Sequence, residues 1–156
     1  MTRVPDLRDS VFVSSGLWCR GALVCFSLLA GCGESLPEIV PVEGVVRVNG
    51  EPQAGLVVRF MPDPEKGNDH PINARATTDA QGTYRLKYFF NGREGEGAPV
   101  GWHRVLIEDP SFSQVPQGAP LPPVLVPSVY NSPNSTPLRF EVREGLQAID
   151  LDVNSS

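Results

Sequence analysis

The amino-acid sequence predicts an all-β domain, a β-sandwich of about seven strands, that follows an N-terminal export signal. Apolar and polar residues alternate in several short segments, and turn-forming residues separate these segments by roughly eight to twelve residues. Fifteen of the 16 prolines lie after residue 31. This proline content is typical of strands joined by rigid turns rather than of helices.

The first 31 residues have the pattern of a secretory signal peptide. Arg3, Arg8 and Arg20 provide positive charge, and the uncharged apolar run from Gly21 to Gly31 follows them. The run is about ten residues long, whereas a membrane-spanning helix needs about 20. The segment therefore predicts export rather than a membrane span.

The apolar run ends in Leu29-Ala30-Gly31-Cys32, which resembles the bacterial lipobox. The resemblance implies that the Cys32 thiol receives a diacylglycerol, that the chain is cut before Cys32, and that the new N-terminus is acylated with a fatty acid such as palmitate. Because each buried CH₂ contributes about 0.8 kcal/mol, two or three acyl chains anchor a protein stably. We predict lipidation at Cys32, and the alternative is a short buried helix with a chance cysteine.

The predicted cleavage also defines the domain organisation. Cys19 and Cys25 leave with the signal peptide, so the mature chain has neither a free thiol nor a disulfide. We expect a lipoprotein signal peptide at 1–31, a tether at 32–41 and one β-sandwich domain at 42–154. Residues 32–156 suffice for a single hydrophobic core.

The charge of the mature chain argues against nucleic acid as a partner. Residues 32–156 contain 10 Lys and Arg against 16 Asp and Glu, a net charge of −6. The arginines are scattered singly along the sequence, and no basic cluster is present. Nucleic-acid-binding domains concentrate positive charge on one face or along one element.

The first half of the domain contains a strand–turn–strand unit. Val42–Val48 is rich in β-branched residues, Asn49-Gly50 favours a two-residue turn, and the strand resumes from Gly55 to Met61. A loop is expected at 62–73. Two further strands follow at 74–79 and 83–89, and a turn at 79–82 joins them. In the turn, Asp79 bonds its own backbone and Gly82 takes the strained position.

The second half is predicted to contain a glycine-rich loop at 91–99, a strand at 100–109 and an irregular proline-rich segment at 110–127. Leu138–Arg143 and Leu146–Val153 alternate, and Glu144-Gly145 separates them, so we expect a closing hairpin. Leu138, Phe140 and Val142 share one face of the first strand of this hairpin, and we expect that face to pack in the core.

The central part of the chain resembles the carboxypeptidase regulatory-like domain, which has a transthyretin-like (prealbumin-like) β-sandwich. The residues that carry the resemblance lie between Val42 and Asp109 and consist of glycines, turn residues and alternating apolar residues. They are Gly44, Val46, Gly50, Pro52, Ala54, Gly55, Val58, Phe60, Thr78, Asp79, Gly82, Tyr84, Leu86 and the run from Pro99 to Ile107. The resemblance implies a fold and an accessory role, since in carboxypeptidases this domain accompanies a separate catalytic zinc domain.

Candidate catalytic and metal-binding residues are few. His70 and His103 are the only histidines, and a zinc site needs three or four suitably spaced ligands. Asp63, Glu65 and Asp69 could bind calcium, but they lack the spacing of a calcium loop, so a solvated acidic loop is the better interpretation. We predict no catalytic residue, no metal and no cofactor; an enzyme would require His70, His103 and a tyrosine hydroxyl to converge.

The function predicted from the sequence is that of a non-enzymatic envelope lipoprotein, held at the periplasmic side or at the cell surface. Its expected binding surfaces are the loops 91–99 and 110–127, because proline-rich loops lose little entropy on docking to a protein. One alternative is a carbohydrate-binding module that uses exposed aromatic residues, with Trp102 and Phe90 as the candidate ligand surface. The other is a degenerate enzyme of the transthyretin-like fold. The predicted partners are a membrane, through the lipid, and an envelope protein or polysaccharide.

Overall fold

The computed structural model describes residues 37–155, and these residues belong to one compact unit, Ser35–Ser156. The predicted signal peptide and Cys32 lie outside the described residues. The all-β prediction is confirmed, because residues 37–155 contain strands and three short 3₁₀ helices, at Pro64–Lys66, Pro110–Gln114 and Ser128–Asn131. The described residues include no helix that could span a membrane.

The described part of the chain contains thirteen strand segments, so the predicted count of about seven strands is not confirmed. They are β1 (Ile39–Val40), β2 (Val42–Val48), β3 (Glu51–Pro52), β4 (Val57–Pro62), β5 (Asn73–Thr77), β6 (Thr83–Arg85), β7 (Lys87–Phe90), β8 (Arg93–Glu96), β9 (Ala98–Pro99), β10 (Gly101–Glu108), β11 (Arg139–Val142), β12 (Gln147–Ala148) and β13 (Leu151–Val153).

The strands form two larger sheets and one short pair. One sheet is antiparallel, in the order β11-β10-β4-β5-β7-β8. The other is built on β2, which pairs antiparallel with β3 and β6 on one edge and parallel with β12 and β13 on the other. The short pair joins β1 to β9. The folded part therefore begins at Ile39, inside the segment that the sequence assigns to the tether.

The core consists of apolar residues from both larger sheets, which pack together in a sandwich-like arrangement. The six-stranded sheet contributes residues that alternate along its strands, and β2 and β13 contribute theirs in the same way. The fully buried members include Val46, Val58, Phe60, Val105, Ile107, Val142 and Leu151. Alternation along a strand places every second side chain on the core face, as the sequence predicts for Val142.

The predicted strand–turn–strand unit and one predicted strand each divide between the two sheets. After the Asn49-Gly50 turn, which has φ values of 53° and 86°, β3 returns along β2 and β4 then joins the six-stranded sheet. The predicted strand at 83–89 likewise splits into β6 and β7 at Leu86. The Leu86 amide donates to the Val42 carbonyl and its carbonyl accepts from the Gly97 amide. The local pattern predicts the strands but not the change of sheet.

Two other predictions are wrong. The segment 91–99 is not an open loop but contains β8 and β9, because Asn91-Gly92 has φ values of 47° and 74° and forms a second hairpin turn. Leu138–Arg143 and Leu146–Val153 do not pair as a hairpin. Their strands separate at Gly145, and β11 joins β10 in one sheet while β12 and β13 join β2 in the other.

The return of the chain to β2 depends on a close contact at Gly44. A Cβ atom at Gly44 would overlap the carbonyl oxygen of Ile149, which lies between β12 and β13. The Tyr84 hydroxyl, on the opposite edge of β2, donates to this oxygen at 2.6 Å. The Ile149 amide donates to the Glu43 carbonyl at 2.8 Å. Glycine is required here for space and not for a turn.

Asp150 completes the junction between β12 and β13. Its carboxylate accepts from the Val45 amide at 3.0 Å and from Arg47 Nη1 at 2.9 Å. The Arg47 guanidinium and the Val45 amide hold the pKa of Asp150 below its usual value. The side chain thus satisfies a backbone donor of β2 where the last two strands are interrupted.

We expect Tyr84→Phe to lower the free energy of unfolding by about 1–3 kcal/mol, because the buried Ile149 carbonyl loses its donor. Tyr88→Phe is the matched control, since the Tyr88 hydroxyl makes no hydrogen bond within residues 37–155 and should change stability by less than about 0.5 kcal/mol. Urea unfolding of both variants measures the difference. Equal losses would contradict this role of the Tyr84 hydroxyl.

Candidate functional site

The outer face of the six-stranded sheet presents a row of positive side chains. The register places Arg59 directly opposite Arg75 and Arg75 directly opposite Lys87, on the adjacent strands β4, β5 and β7. All three residues are exposed. Their position alternates with core residues such as Phe60 and Ala74, so the row faces away from the sandwich.

The two ends of this cation row are neutralised and its centre is not. Arg59 pairs with Glu108 at 2.9 Å, and Lys87 pairs with Glu94 at 3.3 Å. Arg75 has no carboxylate or hydrogen-bond partner among residues 37–155. Its guanidinium carbon instead lies 5.1 Å from the centroid of the Phe89 ring, which is a cation–π contact.

Phe89 is the exposed aromatic residue of this face. It is 46% exposed, and it follows Tyr88, which packs against the core. A shallow concavity of about 400 Å³ is lined by Arg59, Met61, Asn73, Ala74, Arg75 and Phe89. A second, of about 350 Å³, is lined by Val57, Arg75, Ala76, Thr77, Lys87 and Phe89. Arg75 and Phe89 are common to both concavities.

A neighbouring segment covers the adjacent part of the same face. The 3₁₀ helix Ser128–Asn131 lies against β10, Arg104 donates to the Pro133 carbonyl at 3.3 Å, and the Thr136 hydroxyl donates to the Val105 carbonyl at 2.7 Å. Leu106 is buried although it lies in the outward register opposite Arg59. The open part of the face is therefore formed by β4, β5 and β7.

The candidate aromatic residues Trp102 and Phe90 lie on opposite faces of the six-stranded sheet. Trp102 and Arg104 have the same parity on β10, and Arg104 lies opposite Met61, so Trp102 points outward with Phe89. Phe90 has the opposite parity and lies on the side of Tyr88. Both residues are half-buried, and Lys66 Nζ lies 5.2 Å from the Trp102 ring centroid. The two side chains therefore do not form one flat platform.

The acidic loop contains a buried ion cluster, which corrects the expectation of a solvated loop. Asp63 is fully buried, and its carboxylate accepts from Arg104 Nε at 2.9 Å and from Arg139 Nη1 at 2.6 Å. Glu65 lies 3.0 Å from both guanidinium groups. The two arginines, distant in sequence, converge because β10 and β11 are neighbours. Losing one partner from such a cluster costs about 3–5 kcal/mol.

This cluster is satisfied internally. Asp63 Oδ1 also accepts from the Glu65 amide at 3.2 Å, so both carboxylate oxygens are occupied. Asp69 is exposed outside the cluster. Within residues 37–155 no group of three or more His, Cys, Asp or Glu residues could hold a metal ion. We assign the cluster a structural role, joining the loop after β4 to β10 and β11.

The two histidines have different environments. His70 is exposed, whereas His103 is fully buried on β10. His103 Nδ1 donates to the Gly101 carbonyl at 2.9 Å if it carries the proton, and Nε2 has no partner among the described residues. Its ring centroid lies 5.8 Å from that of Phe60. His103 is therefore a core residue.

The sequence analysis chose Phe90 rather than Phe89 of the adjacent pair as a ligand-surface residue, and it did not single out Arg75. Phe89-Phe90 indicates that one ring of the pair faces outward, but not which one. The outward ring is identified by its spacing from Tyr84 and Leu86, which lie in the core. Phe89 is an odd number of positions from these two residues, so its side chain points to the opposite face. The alignment of Arg59, Arg75 and Lys87 has no local signal, because it depends on the pairing of three strands.

Comparisons with known proteins add no assignment to this geometry. No family model, no curated protein and no solved structure matches the chain.

Burial lowers the pKa of His103, and the Gly101 carbonyl and the Asp63 carboxylate oppose this shift only partly. An unfolded histidine titrates near 6.5, so the unfolded state binds the proton more readily than the folded state. Stability from this group is complete above about pH 6.5 and is lost as the pH falls through the lower folded pKa.

We therefore expect the His103→Asn variant to lose less stability than the unsubstituted protein as the pH falls below about 6.5, with a difference of up to about 1.4 kcal/mol per pH unit. Asparagine keeps a donor near the position of Nδ1 and does not titrate. Chemical unfolding of both proteins at several pH values measures the slope. Parallel profiles for the His103→Asn variant and the unsubstituted protein would contradict the role of His103.

Proposed function

We propose that this protein is a non-enzymatic lipoprotein of the bacterial cell envelope, in which a lipid on Cys32 holds a β-sandwich binding module beside a membrane. The observation that carries the proposal is the sequence Leu29-Ala30-Gly31-Cys32, which ends an apolar run shortly before the folded unit begins at Ile39. The same sequence supports an export route and an anchor, and the charge of the mature chain disfavours nucleic acid as a partner.

The short spacer limits the distance between the membrane and the module. Six residues separate Cys32 from Ile39, and an extended chain over this interval spans at most about 25 Å. Pro37 lies in this spacer and favours an extended chain. The module would therefore meet ligands or partners that lie close to the bilayer surface.

The finer fold assignment, a transthyretin-like domain of the carboxypeptidase regulatory-like type, belongs to the same proposal. The residues of the resemblance have structural roles that support it. Gly44 admits the Ile149 carbonyl, and Asp79 Oδ1 accepts from the amides of Gln81 and Thr83 at 2.9 Å. The Tyr84 hydroxyl donates to the same Ile149 carbonyl, which lies against Gly44. A motif built from structural residues supports an accessory module rather than an enzyme.

The positions of the polar groups also support a binding role. His103 is enclosed in the core while His70 is exposed in a loop. The hydroxyl of Tyr84 donates to Ile149, and that of Tyr130 accepts from the Asn154 amide at 3.3 Å. The convergence of histidines and a tyrosine hydroxyl that an enzyme would require has no support in this arrangement.

The proline-rich segment is one surface for a protein partner. It contains the 3₁₀ helix Pro110–Gln114 followed by an irregular chain, in which Leu121 is 74% exposed and Val124 is 64% exposed. A groove of about 370 Å³ runs between this segment and Ala54-Gly55. Exposed apolar side chains on a proline-stiffened segment favour docking of a protein, since less conformational entropy is lost.

The second candidate function is carbohydrate binding, and the observation that favours it is the exposed Phe89 ring beside Arg75. In this candidate function the aromatic contact is Phe89 rather than the pair Trp102 and Phe90. Open sheet faces with an aromatic ring and a few polar groups suit a sugar chain, because the ring packs on the apolar face of a pyranose and the polar groups orient it.

The anchor is tested by Cys32→Ser, expressed in a bacterial host with the full signal sequence. We expect the unsubstituted protein to incorporate radiolabelled palmitate and to remain with membranes after a carbonate wash, and the variant to lose both properties. Cys25→Ser is the matched control, because Cys25 lies in the segment that is removed, and it should behave as the unsubstituted protein does. A Cys32→Ser variant that stays in the washed membranes, or a protein with residues 1–31 intact and Cys32 unmodified, would overturn the anchor.

A further inference from the structure

The row of Arg59, Arg75 and Lys87 is unfavourable for the isolated fold. Adjacent strands lie about 4.8 Å apart, and like charges directly opposite each other on neighbouring strands destabilise a sheet. The protein carries a net charge of −5, so acidic side chains are abundant, yet the central cation has no carboxylate partner among the described residues. An unpaired cation between two others is explained if an anion binds there.

The chemistry around Arg75 defines what the anion is attached to. Phe89 supplies an apolar ring on one side of the guanidinium, and Asn73 lies directly opposite Phe89 in the register. A planar guanidinium binds a carboxylate through two parallel hydrogen bonds. A flat ring with an apolar face, hydroxyl groups and a carboxylate would satisfy Phe89, Asn73 and Arg75 together.

The sheet offers side chains and no free backbone at this site. β4 pairs with β10 and β5, β5 pairs with β4 and β7, and β7 pairs with β5 and β8. A peptide that adds to a sheet needs the unpaired backbone groups of an edge strand. The face is therefore better suited to a sugar ring than to an extended acidic peptide.

Acidic residues border the site and limit the charge density of the ligand. Glu108 lies beside Val57 at one side of the face, and Glu94 and Glu96 lie opposite Phe89 and Lys87 at the other. A polymer charged at every unit would meet these carboxylates, and like charges across an interface are strongly disfavoured. A ligand with isolated carboxylates would place one at Arg75 and neutral units over the borders.

From these observations we propose that the outer face of β4, β5 and β7 binds an acidic polysaccharide with isolated carboxylates, with one carboxylate on Arg75 and the sugar ring on Phe89. This inference rests on the proposed function as a binding module and names the class of its ligand. The open concavities on both sides of Arg75 allow a chain to continue across the face.

The test is isothermal titration of the full-length, detergent-solubilised protein with short hyaluronan oligosaccharides, in which alternate sugars carry a carboxylate. We expect binding that weakens with increasing salt. Arg75→Gln removes the charge and Phe89→Ala removes the ring, and each should weaken binding about tenfold or more. Thermal unfolding of each variant establishes that it is folded.

Matched controls distinguish binding at this site from a general effect of removing a positive charge or an exposed ring. Arg85→Gln removes an exposed arginine of the other sheet, and Phe112→Ala removes an exposed ring of the proline-rich segment. Both should bind as the unsubstituted protein does. Neutral chitin oligosaccharides test the need for a carboxylate, and oligoglutamate tests an acidic peptide; neither should bind comparably.

Absence of hyaluronan binding, equal binding by the Arg75→Gln variant, or comparable binding of chitin oligosaccharides or oligoglutamate would each overturn the proposed ligand. These outcomes are distinguishable from failure of the anchor. Palmitate incorporation at Cys32 and membrane fractionation do not depend on Arg75 or Phe89, so an anchored protein that binds no acidic glycan would refute this inference alone.

Discussion

The fold depends on one contact in the middle of β2, where Gly44 leaves room for the Ile149 carbonyl and Tyr84 donates a hydrogen bond to it. Through this contact, the last strands of the chain pair with the first long strand. β2 consequently has partners along both edges, antiparallel on one and parallel on the other. Because the C-terminal strands are used in this way, β11 remains with β10, and the two sheets enclose a common core.

That division of strands also determines which surface is available for function. The sheet on β2 takes up the C-terminal strands β12 and β13, whereas the six-stranded sheet presents β4, β5 and β7 to solvent. On that face, Arg75 stands between two other cations and stacks on Phe89. By contrast, the buried Asp63 cluster has both of its carboxylate oxygens occupied. The satisfied charges of Asp63 have a structural role, and the unpartnered charge of Arg75 is the basis of the ligand site that we propose.

Features that depend on neighbouring residues are predictable from the sequence, and features that depend on strand pairing are not. The turns at Asn49-Gly50 and Asp79–Gly82 follow from the conformational preferences of their own residues, and the structure contains both. The prediction of a closing hairpin is wrong because alternation in Leu146–Val153 identifies a strand but not the strand with which it pairs. Asp63 looked solvated because Arg104 and Arg139 are distant in sequence, and the alignment of Arg59, Arg75 and Lys87 requires three registers to be known.

Native-state hydrogen exchange tests the closure at Gly44 most directly. The Ile149 amide, which donates to Glu43, should open only with global unfolding, with the same free energy as the Val105 amide of the six-stranded sheet, which donates to Leu138. The Ala119 amide, in the proline-rich segment, is a reference for local opening. If Ile149 exchanged as readily as Ala119 while Val105 stayed protected, the last strands would not be part of the cooperative fold, and the account would be contradicted.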